Sequence, residues 1–395
     1  MPTPPDLVDY RSAWELAPEV AYLNHGSFGP SPTIVRVARQ RWTDELERNP
    51  MEFLVRRQET LLDTAARNLA QLIGGRAENL AFVPNATVAM NIVADNMPLE
   101  AGDEVLLNDH EYGAVIRIWG RRCQMTGART VLARLPDPLS TPEALIDALF
   151  DRVTPRTRII VVSHVTSPTA IILPIAAICA RAKAQGIRVC VDGPHAIAMC
   201  PLAIDTLGCD YYCASLHKWL SAPFGSGFLY VANRHKAGLQ PAIISWGRSL
   251  NGRAPRWQDE LHWSGTMDAA SYLAVTEAIQ FLGDVGWNQF RQQTHALARY
   301  AGERLCESLG ATPIIPDDSW YGCMQTLAMP RIPRESHPQP GTPHSWQTRL
   351  ATECGIEIPI VEWKERMHLR VSCHLYNTVE EIERLVAALS SLAGG

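Results

Sequence analysis

The chain has 395 residues, with 36 Lys and Arg against 41 Asp and Glu and a formal charge of -5. Its apolar content of 46% is ample for burial, and the length exceeds what one hydrophobic core usually serves, so one large and one smaller domain are expected. The mild acidic balance and the lack of any basic block exclude a nucleic-acid or membrane-surface role and favour small-molecule chemistry.

Helical and strand patterns alternate through the first two thirds of the chain. Helical periodicity runs over Thr33 to Arg48 and Thr60 to Ile73, and Asn79 to Val83 reads as a strand. Pro84-Asn85-Ala86-Thr87 then leads into a helical run from Val88. Further short apolar runs are Glu104 to Leu107, Arg158 to Val162, Ile187 to Val191, Asp210 to Ala214 and Phe228 to Val231. This rhythm predicts an α/β fold in which a mostly parallel sheet is covered by helices on both faces. From about Gly283 the pattern changes to a long helix, a few strands and a terminal helix over Thr378 to Leu392, interrupted by a Pro-, Arg- and His-rich loop from Pro330 to Pro343. The expected division is an N-terminal arm over 1–30, a large domain over 31–282 and a small α+β domain over 283–395.

Ten cysteines show neither a Cys-x-x-Cys pair nor a zinc spacing, which predicts free thiols, no metal site and a reducing cytoplasm. No apolar run follows Met1-Pro2-Thr3-Pro4-Pro5-Asp6, so a secretory leader is not expected.

Chemistry concentrates at two strand ends. The run Ile187 to Val191 ends in Asp192-Gly193-Pro194-His195, and the next strand-like run leads to Ser215-Leu216-His217-Lys218-Trp219. Ligands of such sheets gather beyond the carboxyl ends of the strands, where both Asp192 and Lys218 fall. A lysine and an aspartate placed this way are what pyridoxal phosphate (PLP) requires. The amine forms a Schiff base with the cofactor aldehyde, and the carboxylate keeps the pyridine nitrogen protonated, so the ring absorbs electrons from a carbanion. The helix start at Asn85 to Thr87 offers unpaired amides to a phosphate, although either residue alone is equally a plain N-cap.

Several segments together resemble the class V aminotransferase family of fold-type I PLP enzymes, especially its isopenicillin N epimerase-like branch. They are Tyr22-Leu23-Asn24-His25-Gly26-Ser27-Phe28-Gly29, Asn49-Pro50-Met51-Glu52-Phe53-Leu54, His110-Glu111-Tyr112-Gly113-Ala114, Ser163-His164-Val165-Thr166-Ser167-Pro168-Thr169, Asp192-Gly193-Pro194-His195-Ala196, His217-Lys218-Trp219-Leu220, Gly265-Thr266 and Arg370-Val371-Ser372. They occur in the family's order over nearly the whole chain.

The resemblance implies a large sheet of the seven-stranded type and a role for each matching position. Lys218 links the cofactor and Asp192 serves its ring nitrogen. Ala86, Thr87, Ser215 and His217 hold the phosphate, and Thr266 reaches the phosphate of a neighbouring subunit, which implies a homodimer with shared sites. Tyr112 stands where cysteine desulfurases stack a histidine on the ring, and its hydroxyl is also placed to handle protons. His195 falls where the family bonds the phenolic oxygen, and Ser167 where many relatives have an asparagine. Arg370 matches the arginine that pairs with the substrate carboxylate. Its bland competitor is a salt bridge to Glu362 or Glu365. Asn24 and His25 lie in a Gly-rich loop that the family brings close to the substrate.

These roles imply an enzyme that labilises the Cα–H bond of an amino acid, with Lys218 as the base. Carbon–sulfur lyase chemistry on an S-substituted cysteine is the leading expectation. Epimerisation, which needs a second acid from Tyr112, His25 or Tyr376, transamination, and a PLP-binding protein without turnover stand as alternatives. Cysteine desulfurases carry a nucleophilic cysteine shortly before the carboxylate-binding arginine, whereas Gly355 to Arg366 holds none. A nicotinamide-dependent oxidoreductase lacks its Gly-x-Gly-x-x-Gly turn here. Trp219, Trp246, Trp257 and Trp263, with Arg248 and Arg253, suggest an aromatic and cationic surround for a bulky or acidic side chain, or equally core and dimer contacts.

Overall fold

The computed structural model describes residues 2–335 and 342–394. Part of the expected Pro330 to Pro343 loop therefore lies outside the described residues. Thirteen strands are present among the described residues. A short N-terminal strand β1 (Ala21–Tyr22) precedes β2 (Leu80–Val83), β3 (Glu104–Asn108), β4 (Arg129–Ala133), β5 (Thr157–Ser163), β6 (Arg188–Asp192), β7 (Tyr211–Ser215) and β8 (Gly227–Val231). The remaining strands are β9 (Thr312–Pro313), β10 (Met324–Ala328), β11 (Ile356–Glu357), β12 (Ile360–Trp363) and β13 (Arg366–Ser372).

The seven strands β2 to β8 form one sheet in the order β2-β8-β7-β6-β5-β3-β4. Only β8 runs against its neighbours, pairing antiparallel with both β2 and β7. The carboxyl ends of β2, β7, β6, β5 and β3 consequently meet along one edge.

Alternation along these strands splits the core into two layers. Val161, Cys190 and Cys213 face a cluster containing Met90, Val93 and Trp119 from helices Ala86–Asn96 and Gly113–Thr126. Ile160, Val162, Val189 and Val191 face the opposite cluster with Leu62, Leu69 and Ile178 from helices Gln58–Leu72 and Ile175–Ala184. Strands covered on both faces are apolar at nearly every position, which is why β5, β6 and β7 stand out as apolar runs. Edge strand β4 was not anticipated. Its first four residues, Arg129 to Leu132, are exposed or half-buried, so it carries no such run.

A second sheet, β12-β13-β10-β9, packs against helices Trp287–Leu309 and Val379–Gly394 around a separate core that includes Leu297, Leu327, Leu369 and Leu385. The N-terminal arm belongs to this layer. Strand β1 pairs with β11, Leu23 N–H donates to Glu357 O at 2.9 Å, and Ser372 N–H donates to Leu23 O at 3.0 Å. The arm is thereby carried across to the large sheet's site edge. Among the described residues, no helix is long and apolar enough to cross a membrane.

Candidate active site

Most candidate side chains sit at or near the ends of elements whose positions are fixed by packing. Asp192 is the last residue of β6, pinned beside Ser163 of β5 and Cys213 of β7 by strand register. Gly193 follows it against the face of Tyr212, where a Cβ would lie 2.0 Å from the ring, so only glycine permits this exit from the strand. Lys218 sits three residues beyond β7. Between β2 and helix Ala86–Asn96, Asn85 accepts the Val88 N–H at 3.0 Å and caps the helix, while Ala86 N–H donates to Ser215 Oγ at 2.9 Å. Gly227 lets the strand ends close up, since a Cβ there would meet Asn85 Cα at 2.8 Å and Ala214 O at 2.6 Å.

These groups surround a cavity of ≈ 240 Å³. Ala86, Thr87, Ser215 and His217 line it near the helix start, and Tyr112, Ser167, Asp192, His195 and Lys218 complete much of the wall. Ser27, Phe28, Met90, Val115 and Ile118 also line it and had been given no role from sequence.

Lys218 Nζ lies 2.8 Å from His195 Nε2. Burial, then the nearby Arg370 charge, lowers the Lys218 amine to about 7 against the opposing pull of Asp192. Burial raises Asp192 to about 6, with Lys218 drawing it back. His195 is held well below its ordinary value by burial and by Lys218, and burial brings His217 to about 4. The imidazoles are therefore neutral at pH 7, and the amine is divided between base and ammonium.

Arg370 rises from β13 behind Ser167 and Ser27. It donates through Nη1 to Ser167 O at 2.5 Å and through Nη2 to Ser27 Oγ at 2.8 Å. Burial lowers it to about 10, and its buried Nε has no partner. No carboxylate pairs with it among the described residues, and Glu362 bonds Arg334 instead. A buried guanidinium without a counter-ion is the donor set for a carboxylate from outside the protein.

Other expected residues lie elsewhere. His25 is fully buried behind Lys218, with both ring nitrogens engaged inside the protein. Asn24 bridges to Ser372 in the arm, and its Oδ1 is buried without a partner. Thr266 is exposed and does not line this chain's cavity. The four tryptophans proposed as a surround do not line it either: Trp219 is core, Trp257 donates to Glu78 O, and Trp246 is 57% exposed under Arg248. Arg253 is occupied by Glu59 and Asp259.

Glu111, between His110 and Tyr112, has a role that the motif alone does not reveal. Its buried carboxyl receives Ser163 N–H at 3.0 Å, lies 2.5 Å from Ser163 Oγ and bonds the Asn108 amide. Burial, with Asp192 adding to it, raises Glu111 to about 8. Its sequence signal is an acidic residue three positions beyond the end of β3.

A profile of the aminotransferase class-V family matches residues 45–385. The chain belongs to the class V aminotransferase family. It is 36% identical to isopenicillin N epimerase of Amycolatopsis lactamdurans over 97% of this chain and 98% of that one, and 36% identical to the Streptomyces clavuligerus enzyme over 98% and 99%. A cysteine desulfurase of Klebsiella pneumoniae is 27% identical over 81% of this chain and 79% of its own. Among solved structures, the cysteine desulfurase CsdA of Escherichia coli superposes with a TM-score of 0.78 at 23% identity, covering 97% of each chain. The cystine C-S lyase C-DES, in complex with its reaction product cysteine persulfide, gives 0.76 at 22% identity over 94% of this chain and 97% of that one. The two establish the fold-type I architecture.

The chain is a PLP-dependent enzyme, and its site fits that cofactor. The His195 Nδ1 is buried and unpartnered, Asp192 has no side-chain hydrogen bond among the described residues, and the helix start with Thr87, Ser215 and His217 supplies amide, hydroxyl and imidazole groups suited to a phosphate. Lys218 and Asp192 would hold the other end.

Proposed function

We propose that this enzyme breaks the Cα–H bond of an α-amino acid and eliminates a thiol from an S-substituted cysteine, solvent water then hydrolysing the released enamine to a keto acid and ammonia. PLP bound between Asp192 and Lys218 supplies the sink for the electron pair left at Cα. The chain's own residues do the rest. Arg370 receives the substrate carboxylate and fixes the Cα–H bond toward Lys218. The Lys218 amine, near 7, takes the proton. Buried Asp192 would supply the negative charge that the ring nitrogen requires. Tyr112, the residue that caps helix Gly113–Thr126, lines the cavity.

The observation that carries this reading is a cavity lined by a near-neutral lysine and a buried aspartate, with an unpaired arginine directly behind its lining residues Ser27 and Ser167. Elimination is preferred because it needs no acid besides Lys218. A second reading, epimerisation, is favoured by the 36% identity to isopenicillin N epimerases and by Tyr112, the one candidate for a second acid that lines the cavity. Persulfide transfer is not proposed, since no cysteine lines the cavity and Cys373 is buried.

We also propose a homodimer in which Thr266 completes the partner's phosphate site. Exposed Ile243, Ile244 and Trp246, at 60%, 82% and 57%, lie shortly before Thr266 on a segment suited to burial against a second copy. Incubation with S-alkyl cysteines and racemic amino acids, followed by product mass and chirality, tests the reaction. Thiol and keto acid support elimination; inverted amino acid with no thiol supports epimerisation; no turnover of either class defeats both.

A further inference from the structure

The turn that carries Lys218 is held from behind by an assembly that no catalytic step uses. Ser221, three residues on, is a non-glycine residue at φ 56, and its N–H donates to Lys218 O at 2.7 Å. The same carbonyl lies 2.9 Å from His25 Nε2. A carbonyl only accepts, so Nε2 carries the proton. Nδ1 must then accept, and Tyr376 Oη, 2.9 Å away, is its donor. The bond chain Tyr376 to His25 to Lys218 therefore has one direction and admits one tautomer.

Ring packing holds that chain in place. His374 stacks on His25 with centroids 4.0 Å apart and planes 18° from parallel, and Trp219 stacks on His25 at 5.3 Å. His374 Nε2 lies 3.3 Å from both Trp219 O and Ser221 Oγ. His25, His374, Tyr376 and Ser221 are all fully enclosed. Gly29 permits the close approach, because a Cβ there would stand 2.3 Å from His217 O and 2.4 Å from His25 Nε2. The turn is thus clamped by the N-terminal arm and by the segment after β13, neither of which belongs to the large sheet.

We propose that His25 is a positioning residue that fixes the backbone from which the Lys218 amine projects, with the Tyr376 hydroxyl holding the ring in place by donating to its Nδ1. It does not touch the cavity, so it acts on the reaction only through Lys218. The inference rests on Lys218 being the reactive amine.

The test uses the PLP-loaded protein and follows the pH titration of the visible absorbance of its lysine-linked cofactor, alongside kcat and KM. Asp192, His195, His217 and Arg370 surround that amine and are left unaltered. In His25→Asn the midpoint is expected to move by about half a pH unit or more. Its kcat should fall about 10- to 100-fold while KM stays within about threefold. His25→Gln, whose amide nitrogen reaches the Nε2 position, should recover about half of both losses or better, and Tyr376→Phe should move the midpoint in the same direction. An unmoved midpoint in His25→Asn, or identical behaviour of the Asn and Gln variants, overturns the clamp. If His25→Asn does not fold, Tyr376→Phe decides, an unmoved midpoint again being fatal. Wild-type protein without any visible band instead defeats the functional reading, and this inference with it.

Discussion

Lys218 Nζ and His195 Nε2 stand 2.8 Å apart, and burial depresses the pKa of both. A lysine near 7 in the folded protein and near 10.4 when unfolded means that, between those values, the unfolded chain binds more protons. Stability contributed by this side chain therefore rises with pH across that window and is absent below it. In the cofactor-free protein, the stability of wild type minus that of Lys218→Ala should climb from pH 7 to 9. The slope is at most about 1.4 kcal/mol per pH unit. Thermal or urea unfolding at several pH values measures it, and a difference that stays level or declines counts against a depressed amine.

Arg370 is solvent-shielded and has no protein counter-ion among the described residues, and the proposed function gives its charge to the substrate carboxylate. Arg370→Met should raise KM for any α-amino acid about 10- to 150-fold, the worth of one or two charge-assisted hydrogen bonds. Arg370→Lys should not restore it, because a point charge cannot reproduce the planar fork. Steady-state kinetics with an S-alkyl cysteine provide the comparison, and an unchanged KM in both variants would remove Arg370 from the substrate site.

Tyr112 separates the two proposed reactions. If thiol release needs only Lys218, Tyr112→Phe should slow it no more than about tenfold, whereas epimerisation should drop by about 10² or more for want of its far-face acid. Equal losses in both assays would mean that the hydroxyl serves a step common to both.

Glu111 offers a stability test independent of turnover. Its folded pKa of about 8 lies above the unfolded value near 4.3, so the folded chain holds the extra proton between them and wild type loses stability as pH rises through that range. Glu111→Gln keeps a neutral amide in the same network and should gain on wild type from pH 6 to 8. Glu111→Ala strips partners from Ser163 and Asn108 and should cost about 2 kcal/mol or more below about pH 4, a cost that shrinks as pH rises because only wild type carries the titrating group. Chemical denaturation reports both, and an advantage for Gln that shrinks as pH rises would contradict a protonated Glu111.

Strands and site were legible in the sequence where each follows directly from a buried apolar run. Asp192 and Lys218 stood out because β6 and β7 are covered on both faces and end abruptly in polar, Gly-containing turns. Helix Thr33–Arg48 showed its ends through periodicity alone. Strand β4 did not, since an exposed edge imposes no apolar pattern. His25 was legible as a motif residue but not in its placement. Its partner Tyr376 is 351 residues away, and nothing local reveals which ring nitrogen faces which group. Glu111 escaped for a similar reason, its partner Ser163 being 52 residues off on β5. Trp219 and Trp257, readable either as a substrate surround or as core, pack into or against the core; an aromatic side chain in a sequence carries no sign of which cavity it faces.

The central claim is that one amine, Lys218, takes the proton from Cα. Exchange of Cα–H for deuterium in deuterated water, followed by mass spectrometry for wild type and Lys218→Ala with PLP confirmed bound in each, tests it most directly. The expected result is label in wild-type substrate or product and none above background in the variant. Exchange that persists in Lys218→Ala at a rate comparable to wild type would contradict it.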